Sequence, residues 1–149
     1  MPCGGPGACA FEQVQLSWIA GDLKGLIHLL HEDIVWMVNV DGITVPYASS
    51  AVGREDLRWR LQHMMDTFDT SGFDIEQMEH GADACRARVR CQYVHRATGE
   101  ILDVIVRFTG WEQDGLMVRF EERADAAYVE AFTRFVTFLQ ANQRDDESS

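Results

Sequence analysis

Glu122 is the acid in this chain whose surroundings most favour chemistry. It lies in Leu116-Met117-Val118-Arg119-Phe120-Glu121-Glu122-Arg123, where a regular strand gives it the parity of Val118 and Phe120 and turns its carboxyl toward an apolar interior. Desolvation there disfavours the charged form and raises the pKa toward the range useful for proton transfer. A structural account competes: the strand ends or bulges before Asp125, or the carboxylate accepts hydrogen bonds from a helix and only holds the fold together. Tyr93 shares the inward parity of Cys85, Ala87, Val89 and Cys91. With Thr98-Gly99 as the turn, its register sets it opposite Val104, and its hydroxyl can donate to a ligand oxygen. As core filler, the same hydroxyl sits at the cavity rim. Glu122 and Tyr93 are the two catalytic candidates.

Other reactive side chains have plainer readings. Cys91 points inward, but no base stands beside it, so it counts as a small hydrophobe in a pocket wall. His95 adjoins a turn and is expected at the surface. His28 and His31 have a helical i, i+3 spacing that would suit a metal, yet no further ligand accompanies them, and a surface pair near a helix end explains them. Cys3 and Cys9 flank Gly4-Gly5-Pro6-Gly7-Ala8 without the C-x-x-C spacing of a zinc site, so they are read as part of a tail. Cys85 and Cys91 lie roughly 20 Å apart along one strand and cannot pair. The sequence therefore calls for no metal and no cofactor.

The elements that must position these groups are readable from periodicity. Phe11, Val14, Trp18 and Ile19 mark a first helix ending at Gly21. Asp22 caps a second, with Leu23, Leu26, Ile27 and Leu30 on its stripe, which Glu32-Asp33 ends. Ile34 to Val40 reads as a strand, turned by Asp41-Gly42 into Ile43-Thr44-Val45. Gly53 opens a third helix with Leu57, Leu61, Met64 and Phe68 on one face and a stop at Ser71-Gly72; His63, beside that stripe, is the candidate for the cavity mouth. Strands follow at Phe73 to Met78, from Cys85 onward, at Ile101 to Thr109 and at Leu116 to Arg123. A last helix, capped by Asp125, carries Tyr128, Phe132, Phe135 and Leu139. Helices followed by a long antiparallel meander and a closing helix make an α+β fold with helices on one face of a curved sheet. The pocket lining expected from it is Trp18, Trp36, Val38, His63, Met64, Phe68, Cys91, Val106, Phe108 and Phe120. The outer face carries Arg88, Arg90, Asp103, Arg107, Arg119 and Glu121, with Ile105 and Met117 among them. That face is where a homodimer is expected to form.

The chain has 149 residues, 46% of them hydrophobic and 25% charged, with a net charge of -11. One domain with a real core fits this balance: a tail over residues 1–10, the domain over 11–140 and an acidic tail over 141–149. Negative charge repels phosphate backbones and anionic lipid, which argues against nucleic acid and membrane partners. Met1-Pro2-Cys3-Gly4-Gly5 has no signal-peptide character, and a cytoplasmic location is expected.

Trp18-Ile19-Ala20-Gly21-Asp22-Leu23-Lys24-Gly25-Leu26, followed by His31-Glu32-Asp33-Ile34-Val35-Trp36, resembles the opening of the nuclear transport factor 2-like superfamily, in its SnoaL-like and ketosteroid-isomerase-like branch. Gly53, Gly115-Leu116 and Glu122-Arg123-Ala124-Asp125 resemble its later landmarks, so the likeness runs from about residue 11 to residue 135. It implies a cone around a mostly apolar pocket and dimerisation through the outer sheet face. Isomerases, polyketide cyclases, dehydratases and epoxide hydrolases share that fold. The steroid isomerases' base, tyrosine and second acid fall on Val38, Val14 and Phe108, which argues against authentic steroid isomerisation. Of the epoxide hydrolases' Arg and two acids, only Glu122 falls near a matching position. The implied function is acid/base chemistry without a cofactor (isomerase, cyclase or dehydratase type) on a small apolar molecule. The alternative is a non-catalytic module for ligand binding or dimerisation.

Overall fold

A computed structural model describes residues 9–39 and 50–148, with backbone alone at 144–148. The elements are α1 (Ala10–Ile19), α2 (Leu23–His28), β1 (Leu30–Val38), β2 (Ala51–Val52), α3 (Arg54–Thr67), β3 (Phe68–His80), β4 (Cys85–His95), β5 (Ile101–Gln113), β6 (Leu116–Arg123) and α4 (Ala126–Ser148). The strands form a curved, unclosed six-stranded sheet in the order β2-β1-β6-β5-β4-β3. The architecture is α+β, as the element order implies. Its pairings are antiparallel except between β1 and β6, which run parallel and bring the first strand beside the last.

Alternation in the long strands decides where the core lies. Along β4 the side chains alternate buried and exposed from Cys85 to Arg90, so Ala87, Val89, Cys91 and Tyr93 face the helices while Arg86, Arg88 and Arg90 face out. On β5, Leu102, Val104, Val106 and Phe108 take the inner face. Out on the other face, Arg88 pairs with Glu76 at 3.3 Å, Arg90 with Asp103 at 3.0 Å and Arg119 with Glu121 at 3.0 Å. The α1 helix docks on this sheet at Gly110, where a Cβ would stand 2.4 Å from the Phe11 ring and 2.5 Å from the Met117 methyl. Only a residue without a side chain lets the helix come so close. Glu112 accepts a hydrogen bond from the Phe11 backbone N–H at 2.7 Å and so caps the helix start from the sheet.

Several sequence expectations need correction. The first helix already begins at Ala10, which is buried, and Cys9 is its N-cap, so neither residue belongs to a loose tail. The second helix stops at His28 and the strand begins at Leu30, which removes the helical spacing of His28 and His31. Phe68 is the first residue of β3 rather than the end of α3. Its pairing with His95 extends the ladder, and its ring still reaches the core because the chain turns extended just where the helical stripe faced inward. In β6 the pairing jumps from Trp111↔Arg119 to Glu112↔Met117. This bulge adds a residue at Val118, so Met117 joins the core with Phe120 instead of facing outward. Tyr93 pairs with Leu102, and Cys91 with Val104, two residues from the expected register. His95 is buried, packed on Phe68 and Phe132, because α4 covers this end of the sheet.

The Asp125 cap forms, accepting from the Tyr128 N–H at 3.1 Å. The buried face of α4 is Val129, Phe132, Thr133 and Val136, with Tyr128 and Phe135 exposed. Its backbone stays helical to Ser148, through residues read as an acidic tail. The Asp41-Gly42 turn and the strand expected after it lie outside the described residues. Among the described residues no helix is long and apolar enough to cross a membrane.

Candidate functional site

The inner face of the sheet and the three short helices enclose a cavity of about 120 Å³. Its wall is built by element. From α1 come Val14, Gln15 and Trp18, and from α2 Leu26; α3 supplies Leu57, Arg60, Leu61 and Met64. The strands add Trp36 and Val38 on β1, Phe73, Tyr93, Val106 and Phe108, and then Phe120 and Glu122 on β6. Glu122 is the acid among them.

Parity and pairing aim that acid. From Arg119 onward β6 is regular, with Trp36↔Phe120 and Val38↔Glu122 on one side and Phe108↔Glu122 on the other. Glu122 therefore projects on the same face as Phe120, into the space between Val38 and Phe108. Its Oε1 accepts a hydrogen bond from Trp36 Nε1 at 2.9 Å. The indole that donates is itself clamped, stacked on Phe120 with ring centroids 4.0 Å apart and an interplanar angle of 12°. Oε2 makes no hydrogen bond among the described residues and is open to a ligand. Burial pushes the Glu122 pKa up from 4.5 to about 7, and the Trp36 bond, which favours the carboxylate, offsets only part of this.

Tyr93 lines the cavity with its ring tilted against Phe68, centroids 6.0 Å apart. Burial pushes its pKa well up, with the neighbouring Cys91 thiol and the Glu122 charge adding to the rise and a bond to Trp18 opposing it. The phenol therefore keeps its proton and remains a donor.

Of the expected lining residues, Trp18, Trp36, Val38, Met64, Val106, Phe108 and Phe120 stand in the wall beside Glu122 and Tyr93. The remaining ones do not. Cys91 is fully buried behind it, and desolvation raises its pKa to about 12, which leaves an inert thiol. Phe68 packs with Phe132 and Tyr93 in the core under α4. His63 packs against the Trp59 ring, with centroids 4.1 Å apart, and is not part of the cavity wall.

Sequence reasoning missed two polar members. Gln15 is 2% exposed; its Nε2 donates to the Phe11 carbonyl at 3.2 Å, while its Oε1 is buried with no hydrogen-bond partner. Such an acceptor is costly unless a water or ligand donor meets it. Arg60 brings a guanidinium to the wall, anchored by Asp56 at 3.5 Å and lying over the Trp59 ring at 5.3 Å. Helical spacing contained both. Gln15 follows Phe11 by one turn, and Arg60 falls between Leu57 and Leu61 on the α3 stripe, but a polar residue on an apolar stripe is easily read as its edge.

Residues 12–120 match the family model of the SnoaL-like domain. No curated protein is detectably similar in sequence. Among solved structures, an NTF2-like protein of unknown function from Burkholderia pseudomallei aligns with a TM-score of 0.70 at 15% identity, over 80% of this chain and 91% of that one. A candidate isomerase from Rhodopseudomonas palustris gives 0.70 at 14% identity, covering 80% and 89%. A candidate SnoaL-like polyketide cyclase from Mesorhizobium loti gives 0.61 at 20% identity, covering 78% and 95%. At such identities the likeness carries the fold alone, while the family match spans most of the chain. The chain belongs to the SnoaL-like domain family and shares the fold of the solved NTF2-like proteins.

Proposed function

We propose that the protein is an enzyme of isomerase, cyclase or dehydratase type that moves a proton within a small, largely apolar molecule bound in the cavity, using Glu122 and no cofactor. The observation that carries this reading is a lone carboxyl in an apolar wall, gripped by Trp36 through one oxygen and open at the other. With a pKa of about 7 it divides between acid and base near neutral pH, which is where one group can both take and return a proton. In the forward step Glu122 Oε2 accepts a proton from a carbon next to an electron-withdrawing oxygen function. The Tyr93 hydroxyl donates a hydrogen bond to the oxygen that gathers the electron pair, and Arg60 adds positive field. Returning the proton to a different atom completes an isomerisation; handing it to a departing hydroxyl, which leaves as water, completes a dehydration. Gln15 Oε1 suits a hydroxyl or amine hydrogen on the substrate.

Carbon-13 labelling of glutamate carboxyls tests the base directly. One resonance titrating near pH 7, missing from Glu122→Gln, is expected; a midpoint in the ordinary carboxylate range defeats the reading. On a turned-over substrate the same variant loses about two to four orders of magnitude in kcat.

One observation favours a holding role without turnover: the positions that the resemblance assigns to the steroid-isomerase polar groups are Val38, Val14 and Phe108, all cavity residues here without a polar side chain. Under that reading ligand affinity survives Glu122→Gln and no chemistry accompanies binding.

A further inference from the structure

Away from the cavity, three soft ligand atoms meet. Cys9 Sγ lies 3.9 Å from His80 Nδ1, Cys85 Sγ lies 3.8 Å from the same nitrogen, and all three atoms fall within 4.8 Å of one another. None of the three residues lines the cavity. Cys9 lies 71 residues from His80, so its meeting with the hairpin pair is a product of the fold. His80 and Cys85 are a directly paired couple closing the β3–β4 hairpin, whose turn is held by Gly81 N–H donating to the Ala84 carbonyl at 3.0 Å. Cys9 is the N-cap of α1. It reaches the hairpin because Phe11 seats on Gly110, the β5 partner of Cys85, and because Glu112 fixes the Phe11 N–H.

We propose that Cys9, His80 and Cys85 form a zinc(II) site that ties the start of α1 to the β3–β4 hairpin. The donor set is the one zinc prefers, two thiolates and an imidazole. Bond lengths of about 2.3 Å to sulfur and about 2.0 Å to nitrogen put tetrahedral ligand atoms roughly 3.6 Å apart for S–N and roughly 3.8 Å for S–S. The observed S···N separations are therefore within a few tenths of an ångström of those that a central ion requires. Cys85 is buried, Cys9 half-buried and His80 exposed, which gives the ion an approach from solvent and a protected anchor on the sheet. As the two Zn–S bonds form, both thiol protons leave to solvent, and His80 coordinates through neutral Nδ1. The described residues supply three ligands. A water completes the tetrahedron.

Cobalt(II) and zinc(II) themselves are the probes. The reduced, metal-stripped full chain is titrated with cobalt(II), which gains intense visible ligand-field bands and thiolate charge transfer when bound tetrahedrally by sulfur. One equivalent is expected, displaced by one equivalent of zinc. The partly exposed positions are varied first so that folding is preserved: Cys9→Ser and His80→Asn should each weaken binding by more than about a hundredfold, since outer-shell changes alone cost ten- to a hundredfold. The joint change His28→Asn with His31→Asn should leave it unaltered. Zinc at a hundredfold excess over Kd should raise the Tm of the unaltered chain by roughly 5–10 °C and that of Cys9→Ser much less. Absence of the tetrahedral cobalt spectrum overturns the proposal. Wild-type affinity in both single variants, or a Cys9–Cys85 disulfide whose reduction yields no metal binding, does so equally.

Discussion

Two titratable groups, one half-buried and one buried, give the stability of this protein opposite pH slopes. Glu122 has a folded pKa of about 7, raised above 4.5 chiefly by burial. Between those values the folded chain keeps a proton that the unfolded chain has released, so this group's contribution is fullest below about 4.5 and is lost as pH rises through 7, by up to about 3 kcal/mol. Glu122→Gln should erase that slope. Because the amide oxygen can still accept from Trp36, the variant should unfold in urea at the same or a higher denaturant concentration than wild type at pH 8. A lower midpoint there would mark a carboxylate with a structural task. His95 acts in the other sense: burial lowers its pKa below the ordinary 6.5, and its Nδ1 is hydrogen-bonded to Thr98 Oγ1 at 2.8 Å. Its contribution is complete above 6.5 and is lost as pH falls below it, because the unfolded chain then takes up a proton that the folded site resists. His95→Gln should flatten the acid side of a Tm-against-pH curve while leaving the Glu122 side in place. Tyr93→Phe, which removes only a donor, should keep the fold and lower kcat by roughly one to two orders of magnitude on any substrate whose oxygen it holds.

Elements meet here through small features. Gly110 admits α1 to the sheet, and adding one methyl there sets carbon against the Phe11 ring and the Met117 methyl. Gly110→Ala should cost about 1–3 kcal/mol in urea unfolding. Since the same contact delivers Cys9 to the hairpin, this variant should also weaken cobalt binding without touching a ligand. The bulge at Val118 has a comparable role. It lets Met117 fill the core beneath α1 while Glu122 keeps the parity of Phe120, so one extra residue serves packing at one end of β6 and the cavity at the other. Periodicity located these strands. A bulge leaves no such trace, because it depends on how two strands are spaced against a helix above them.

For the molecule as a whole, a homodimer through the outer sheet face remains the expectation. Its ground has narrowed, since Met117 is buried and most charges on that face are already paired within the chain. Sedimentation at tens of micromolar should give twice the 16.9 kDa of one chain. Reversing Arg88 and Arg90 to Glu should return it to one chain mass; a monomer in the unaltered protein, or a dimer indifferent to the reversal, would remove the idea. Exposed pairs of this kind are worth less than about 1 kcal/mol each, so the reversal has to work by repulsion across the two-fold axis rather than by loss of internal pairs.

The residue pattern alone determined that the chain is α+β, that β4 and β5 bury their alternate residues, that Asp22 and Asp125 cap helices, and that Glu122 faces inward with Phe120. These follow from backbone periodicity and short-range hydrogen bonding, which a few neighbouring residues specify between them. Tertiary structure decided which inward residues reach a cavity and which stop in the core: Gln15 and Arg60 entered the wall, whereas Cys91, Phe68 and His63 stayed out of it. It also buried His95 and gathered Cys9 with His80 and Cys85, residues 71 and 5 positions from that histidine. Parity assigns a side chain to a face; which neighbours share that face depends on strand order, on register and on a helix seated over one glycine. Those are properties of distant segments packed together, and no local pattern contains them.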